Sequence, residues 1–124
     1  MWQTRSSIAA LGPYHSARHR TRVMTLPSHA EQLSRTEGIA FDFDGVFTDN
    51  RVYVMQNGEE AVVCDRSDGM GVSMLRKAGY PMVVISTEAN PVVGARCKKL
   101  NLEVRQGVDD KLPVLKAWAS ANQL

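Results

Sequence analysis

Long apolar runs are absent from this chain of 124 residues. None approaches the roughly 20 residues that a bilayer-spanning helix needs. The stretch Ile8-Ala9-Ala10-Leu11 is too short even for the h-region of a secretory signal. The expectation is a soluble, unexported, cytoplasmic protein with no membrane partner. Cysteine is scarce as well. Cys64 and Cys97 both sit inside apolar patterns, which favours reduced buried thiols over a disulfide, and no metal-ligand spacing joins them. An excess of one charge is also lacking, with 15 Lys plus Arg against 13 Asp plus Glu and a net charge of +2. With 44% hydrophobic residues, that balance fits one globular core and excludes a disordered tail, a collagen-like fibre or a basic nucleic-acid arm.

The small charge excess is unevenly placed. Residues 1–38 carry Arg5, Arg18, Arg20, Arg22 and Arg35 against Glu31 and Glu37, a balance of +3, which leaves −1 for residues 39–124. Up to about Leu26 no helical or strand period is sustained, and Gly12, Pro13 and Pro27 interrupt the chain beside His15, His19 and His29. Residues 1–37 are therefore read as a flexible basic leader or linker. An organellar transit peptide, a start at Met24 and the remnant of an upstream domain are the other readings of this segment. Arg18-His19-Arg20 reads as a solvated charge run rather than a nucleic-acid patch, so no nucleic-acid partner is expected.

Organisation begins at residue 38. Gly38-Ile39-Ala40-Phe41 runs into Asp42-Phe43-Asp44-Gly45, as a buried parallel strand does where it meets its loop. Residues 51–56 and 59–64 are β-branched runs around Asn57-Gly58, which predicts a hairpin with a type I′ turn, both central residues at positive φ. Residues 65–69 read as a turn, followed by a helix carrying Met70, Val72, Met74, Leu75 and Ala78 and ended by Gly79. Residues 82–86 form a continuous apolar strand. Asn90 can cap a helix with Pro91 at its first position and Val92, Val93, Ala95, Cys97 and Leu100 along it. Residues 102–104 give a short strand, and Asp109 or Asp110 opens a last helix in which Pro113 falls in the first turn. Strands alternating with helices imply right-handed crossovers: an α/β, Rossmann-like three-layer sandwich with a parallel sheet and a β-hairpin inserted after the first strand.

Such sheets carry their chemistry at the carboxyl ends of their strands. That places Asp42, Asp44, Ser86 and the loop from Gln106 to Lys111 together before any family is considered. Two carboxylates two residues apart, with Gly45 allowing a sharp turn, suit a metal, an acid/base pair or an aspartyl nucleophile with a neighbouring acid. A strand-end turn with an Asx cap is the plainer alternative. Ser86 can donate to a phosphoryl oxygen or serve as a polar cap near a helix. Lys111 can neutralise a phosphate or be an ordinary surface lysine.

Phe41-Asp42-Phe43-Asp44-Gly45-Val46-Phe47-Thr48-Asp49 resembles the first motif of the haloacid dehalogenase superfamily. Its D-x-D-G-V-x-T-D form is similar to that of the branch holding 3-deoxy-manno-octulosonate 8-phosphate phosphatase and the phosphatase-like module fused to bacterial acylneuraminate cytidylyltransferases. The hairpin, Ser67-Asp68-Gly69-Met70-Gly71, Val84-Ile85-Ser86-Thr87-Glu88 and Gln106-Gly107-Val108-Asp109-Asp110-Lys111 fall where that branch has its later motifs. Ser86-Thr87-Glu88 and Asn90-Pro91-Val92-Val93 are most similar to the cytidylyltransferase-associated modules.

The resemblance implies that Asp42 is the nucleophile and that Asp44 protonates the leaving alcohol and then activates water. It implies Ser86 and Lys111 as phosphate ligands, Mg²⁺ on the Asp42 carboxylate and the Asp44 backbone carbonyl, and Asp49, Asp68 and Gly69 as supporting residues. The implied substrate is a small phosphorylated 3-deoxy-2-ulosonic or nonulosonic sugar acid, and the implied assembly a homotetramer built through the hairpin. The superfamily's fourth, acidic motif is absent, so residues 38–124 are expected to be a C-terminally truncated phosphatase domain whose first strand is an unpaired edge. A non-catalytic oligomerisation module of sialic-acid activation is the alternative function.

Overall fold

The computed structural model describes residues 28–124, so the readings of the leader before Ser28, including Met24, His15, His19 and Arg18-His19-Arg20, lie outside the described residues. The first element is a short helix, α1 (His29–Ser34), within the segment read as a leader without regular structure. Its cause is a reciprocal cap. The Ser28 amide donates to the Glu31 carboxylate at 2.7 Å and the Glu31 amide to Ser28 Oγ at 3.3 Å. Ser28-x-x-Glu31 is a capping box and was the sequence signal for this turn.

Strand β1 (Ile39–Phe41) is followed by the hairpin strands β2 (Thr48–Val54) and β3 (Glu60–Cys64), helix α2 (Ser67–Lys77), strand β4 (Met82–Ile85), helix α3 (Pro91–Leu100), strand β5 (Glu103–Arg105) and helix α4 (Lys111–Ala121). Three strands form a parallel sheet in the order β1-β4-β5, with Phe41 opposite Val84 and Val84 opposite Val104. Among the described residues β1 pairs on one side only, as the sequence led us to expect. Alternate residues of β4 face opposite sides of this sheet. Val84 joins Phe43, Phe47, Val72, Val93, Cys97 and Leu100 beneath α2 and α3. Val83 and Ile85 meet Trp118 of α4. Helices thus cover both faces, giving the three layers, and each buried Val, Leu or Phe side chain contributes about 1.5–3 kcal/mol of transfer free energy. Among the described residues no helix is long and apolar enough to cross a membrane.

The capping chemistry of α3 and α4 follows the sequence. Asn90 accepts from the Val92 amide with Pro91 behind it, and Asp110 accepts from the Leu112 amide at 3.1 Å. Asp110, not Asp109, is the N-cap of α4.

Helix α2 corrects two expectations. Helix α2 begins at Ser67, so Ser67, Asp68 and Gly69 form its first turn and not a preceding loop. Its buried side chain is Val72, while Met70 and Met74, one turn apart on another face, are 71% and 65% exposed. Gly79 (φ +87°) does end the helix, with its amide bonded to the Arg76 carbonyl and the Tyr80 amide to that of Leu75.

The hairpin turn is not type I′. Gly58 has φ +83° but Asn57 does not join it at positive φ. The Gly58 amide bonds to the Met55 carbonyl and the Met55 amide to the Glu59 carbonyl, which makes a three-residue loop ending in a left-handed glycine. Asn57 Oδ1 accepts from the Glu59 amide at 3.1 Å, an Asx turn that fixes Asn57 in the ordinary region. β2 also starts three residues before the predicted run and carries a bulge. Between the pairs Thr48↔Cys64 and Val52↔Val62, β2 advances four residues and β3 two, and Asn50 at φ +64° lies inside this step.

Candidate active site

Strand β1 delivers Asp42 one residue past its last paired position, where the chain leaves the sheet. Helix α4 begins at Lys111 on the same side, and its ammonium lies 2.8 Å from Asp42 Oδ2. The other carboxylate oxygen, Oδ1, accepts from the Phe43 amide at 2.7 Å. Partial burial raises the Asp42 carboxyl, but the Lys111 hydrogen bond, the Phe43 amide and the ammonium charge outweigh it and hold the group below the usual carboxylate range. Asp42 is therefore an anion with both oxygens oriented, half exposed at the mouth of the sheet.

Between Asp42 and Asp44 the Phe43 side chain is fully buried, which turns the two flanking carboxylates outward on either side of it. Gly45 at φ +75° makes the turn that follows. The loop is closed by Thr48, whose buried hydroxyl accepts from the Gly45 amide at 3.1 Å and the Asn50 amide at 3.2 Å and lies 3.5 Å from Asp44 Oδ1. Thr48 was visible in the motif but received no role. The signal was a Thr four residues after Asp44, able to bond backbone amides on both sides of itself.

Ser86 ends β4 at 1% exposure. Its Oγ accepts from the Glu88 amide at 3.1 Å, which leaves the hydroxyl proton to donate elsewhere. Backbone bonds from Ser86 N to the Arg105 carbonyl, from Val108 N to the Ser86 carbonyl and from Gly107 N to the Glu88 carbonyl lace the β4 and β5 loops together.

The sequence-selected residues divide into two groups. Asp42 and Lys111 are in contact, Ser86 directly follows β4, and Asp44 lies in the turn after β1, where it lines a separate crevice. Asp68 and Gly69 lie instead on the first turn of α2. Asp68 Oδ2 is 3.6 Å from Arg96 Nη2 of α3, and Gly69 faces Leu100. Asp49 Oδ1 accepts from the Arg51 amide. Asp49 and Asp68 share a shallow cleft with Thr48, Cys64 and Asp65, on the hairpin side of the β1 loop. Cys64 and Cys97 are free thiols, and burial pushes both upward, so they remain protonated.

A second crevice, of about 270 Å³, opens beside Asp44 between the hairpin and the start of α3. Asn50, Arg51, Glu60, Glu88 and Asn90 line it, and none of them is a candidate site residue by sequence. Asn90 Nδ2 donates to the Glu60 carboxylate at 3.1 Å, so the residue that caps α3 also fastens the hairpin across the crevice.

Comparison with known proteins supports the resemblance. No family model matches the chain. The 3-deoxy-D-manno-octulosonate 8-phosphate phosphatase of Escherichia coli K12 is 29% identical over 90 residues, which are 69% of this chain and 48% of that protein. The Haemophilus influenzae phosphatase of the same name is 28% identical over 74 residues, 60% of this chain and 41% of that protein. A HAD-family hydrolase from Streptomyces avermitilis superposes with a TM-score of 0.70 at 40% identity, covering 81% of this chain and 55% of that one. The phosphatase from Moraxella catarrhalis, solved with magnesium ion, phosphate ion and KDO, gives a TM-score of 0.66 at 27% identity, covering 71% and 51%. The chain spans about half the length of the relatives it matches. Its homologues are thus haloacid dehalogenase-type hydrolases, 3-deoxy-D-manno-octulosonate 8-phosphate phosphatases among them.

Proposed function

We propose that this chain, a homologue of haloacid dehalogenase-type phosphatases, carries the phosphoryl-transfer site of a Mg²⁺-dependent phosphatase for a phosphorylated 3-deoxy-2-ulosonic or nonulosonic sugar acid. The observation that carries the reading is the Asp42–Lys111 contact of 2.8 Å at the carboxyl end of β1. It joins an ionised nucleophile to a cation that has two further N–H donors for a phosphoryl group.

In the first half-reaction an Asp42 oxygen attacks phosphorus and the bond from phosphorus to the sugar oxygen breaks. Asp44 supplies the proton that the departing alkoxide takes. In the second half, Asp44 accepts a proton from water, whose oxygen attacks the phosphorus of the aspartyl phosphate and frees Asp42. Dividing one displacement into two lowers the barrier to each, and an acid placed at the leaving oxygen contributes typically 10²–10⁴-fold. Lys111 and the Ser86 hydroxyl would bind the non-bridging oxygens. The supporting residues would act through structure: Asp49 holds the Arg51 amide, and the Asp68–Arg96 pair couples α2 to α3.

The donor set fits Mg²⁺, a hard cation that keeps several waters and needs only one or two carboxylates beside the substrate phosphate. Among the described residues no group of three or more His, Cys, Asp or Glu side chains forms a metal cage. The Asp42 carboxylate and the Asp44 backbone carbonyl would hold the ion, and when bound it offsets the repulsion between the anionic nucleophile and the phosphate.

The test is Mg²⁺-dependent release of inorganic phosphate from 3-deoxy-manno-octulosonate 8-phosphate and nonulosonate phosphates. The Asp42→Asn variant should release none. Failure of the unaltered chain on every such ester, with Mg²⁺ present, would overturn the reading.

A second reading rests on the hairpin. Val52, Tyr53, Val54, Met55 and Val63 are all at least half exposed, an apolar ribbon of the kind that seeks a partner. It favours a homotetramer built through the hairpin, and it suits a non-catalytic association module linked to acylneuraminate cytidylyltransferase. A discrete oligomer in sedimentation, with no phosphate release, would select this second reading.

A further inference from the structure

The crevice beside Asp44 has an uneven charge pattern. Three carboxylates line it, from Asp44, Glu60 and Glu88, and Arg51 is the cation among them. Among the described residues three arginine side chains of the fold are engaged, whereas that of Arg51, like those of Arg35 and Arg66, is not, and of these Arg51 alone lines this crevice. Arg96 is held by the Asp65 carbonyl and Asp68, Arg105 by Glu103 at 2.6 Å, and Arg76 by the Leu100 and Asn101 carbonyls. Among the described residues the Arg51 guanidinium has no hydrogen bond or ion pair, although acids line the same crevice. Its place is fixed by an irregularity. Arg51 sits in the β2 bulge, directly after Asn50 at φ +64°, with its amide held by Asp49. A bulge costs ladder hydrogen bonds and re-aims the side chains it carries.

We infer that Arg51 is the anion anchor of this crevice, binding the carboxylate of the sugar acid whose phosphate reacts at Asp42; the inference rests on the phosphatase reading for the identity of that ligand. The chemistry of the lining supports it. A polyol chain offers hydroxyl donors that Glu88 and the Glu60–Asn90 pair accept. A carboxylate is repelled by the acids and finds its complement at the guanidinium, whose planar fork matches it with two parallel hydrogen bonds. The volume, about 270 Å³, is just under the range of small-molecule sites, about 300–1,000 Å³. The crevice lies on the Asp44 side, where the leaving alcohol must be.

The decisive measurement is calorimetric binding of free 3-deoxy-manno-octulosonate, which lacks the phosphate, compared with a neutral ketose of similar size. The full chain, Arg51→Gln and Arg51→Lys are titrated with each. Arg51→Gln should weaken the sugar acid at least tenfold, equivalent to about 1.4 kcal/mol. Arg51→Lys should recover only part of the loss, and the neutral ketose should be unaffected. Arg51 is exposed, so equal thermal melting of the three proteins is expected. The inference is overturned if the unaltered chain does not bind the sugar acid, if Arg51→Gln binds it equally well, or if both ligands weaken alike. Phosphate release from an ester without a carboxylate, such as p-nitrophenyl phosphate, separates the two readings. Cleavage of that ester with Arg51-independent sugar-acid binding removes the anchor and leaves the phosphatase. Arg51-dependent binding without release from any ester leaves the anchor and removes the phosphatase.

Discussion

Strand β4 (Met82–Ile85) and hairpin strand β2 (Thr48–Val54) are both rich in valine, yet Val83 and Val84 are fully buried while Val52 and Val54 are 51% and 64% exposed. The difference lies in neighbours and not in residue type. β4 is flanked by β1 and β5 and covered by helices on both faces. Among the described residues β2 pairs with β3 alone, and a two-stranded ribbon is marginally stable in water. The hairpin is held at its base by Thr48 and by Arg96 on the Asp65 carbonyl, and near its turn by the Asn90–Glu60 bond. The sheet supplies a rigid mount for Asp42 and Lys111, whereas the hairpin supplies a surface and a wall for the crevice.

That contrast can be broken most sharply in the core. Phe43→Ala should destabilise the protein by about 3–5 kcal/mol in urea unfolding, because it empties a fully buried site between the two carboxylates. If the loss is under 1 kcal/mol, the sheet is not the rigid half of the molecule. Arg96→Met should cost about 1–3 kcal/mol, since it strands the Asp68 carboxylate, whose Oδ2 is buried without a hydrogen bond. Thermal denaturation would measure it, and a neutral result would show that α2 and α3 are joined by packing alone.

Asn90→Ala combines both regions. Loss of the α3 cap should cost about 1 kcal/mol. Loss of the Glu60 bond should speed amide exchange selectively in β2 and β3, and uniform acceleration would argue against a separate hairpin tether. A smaller effect depends on pH. The Asp42 carboxylate in the folded chain titrates below its unfolded value. Its pair with Lys111 therefore stabilises the fold above about pH 4 and loses that contribution as pH falls through the depressed folded value. Both groups are substantially exposed, so Lys111→Met should cost only a few tenths of a kcal/mol at pH 6, and less at pH 3. The smallest effect is expected for Tyr53→Ala, within about ±0.5 kcal/mol for the dilute monomer. If the hairpin is the oligomer interface, the same change would shift the sedimenting species toward monomer.

Much of this architecture was legible because its signals are local. Asn90-Pro91 and Gly79 marked helix ends through the backbone groups they satisfy or the φ they permit, and the apolar run ending in Asp42 marked a strand mouth. The parts that were not legible depend on partners distant in sequence. Met70 and Met74 match the helical period as well as Val72 does, and only the packing of α2 against α3 decides which face is buried. Asx bonding at Asn57 overrode the common Asn-Gly turn, and the β2 bulge left no compositional trace. Arg51, Glu60 and Glu88 carry no such signal, and Asn90 signals only a helix cap, because the crevice they line is assembled from the hairpin and the start of α3.

By itself the sequence determined the parallel α/β class, the order of elements and the identity of Asp42, Asp44, Ser86 and Lys111 as strand-end and helix-start residues. Their motifs are short and contiguous, and the conformations they require follow from nearest neighbours. Only the tertiary structure decided that Lys111, 69 positions beyond Asp42 in the numbering, closes to 2.8 Å on its carboxylate. It also decided that the hairpin leaves Val52, Val54 and Val63 at least half in solvent while Val62 and Cys64 lie against the core. Contact between distant segments depends on how crossovers pack on a common sheet, and no local pattern encodes that distance.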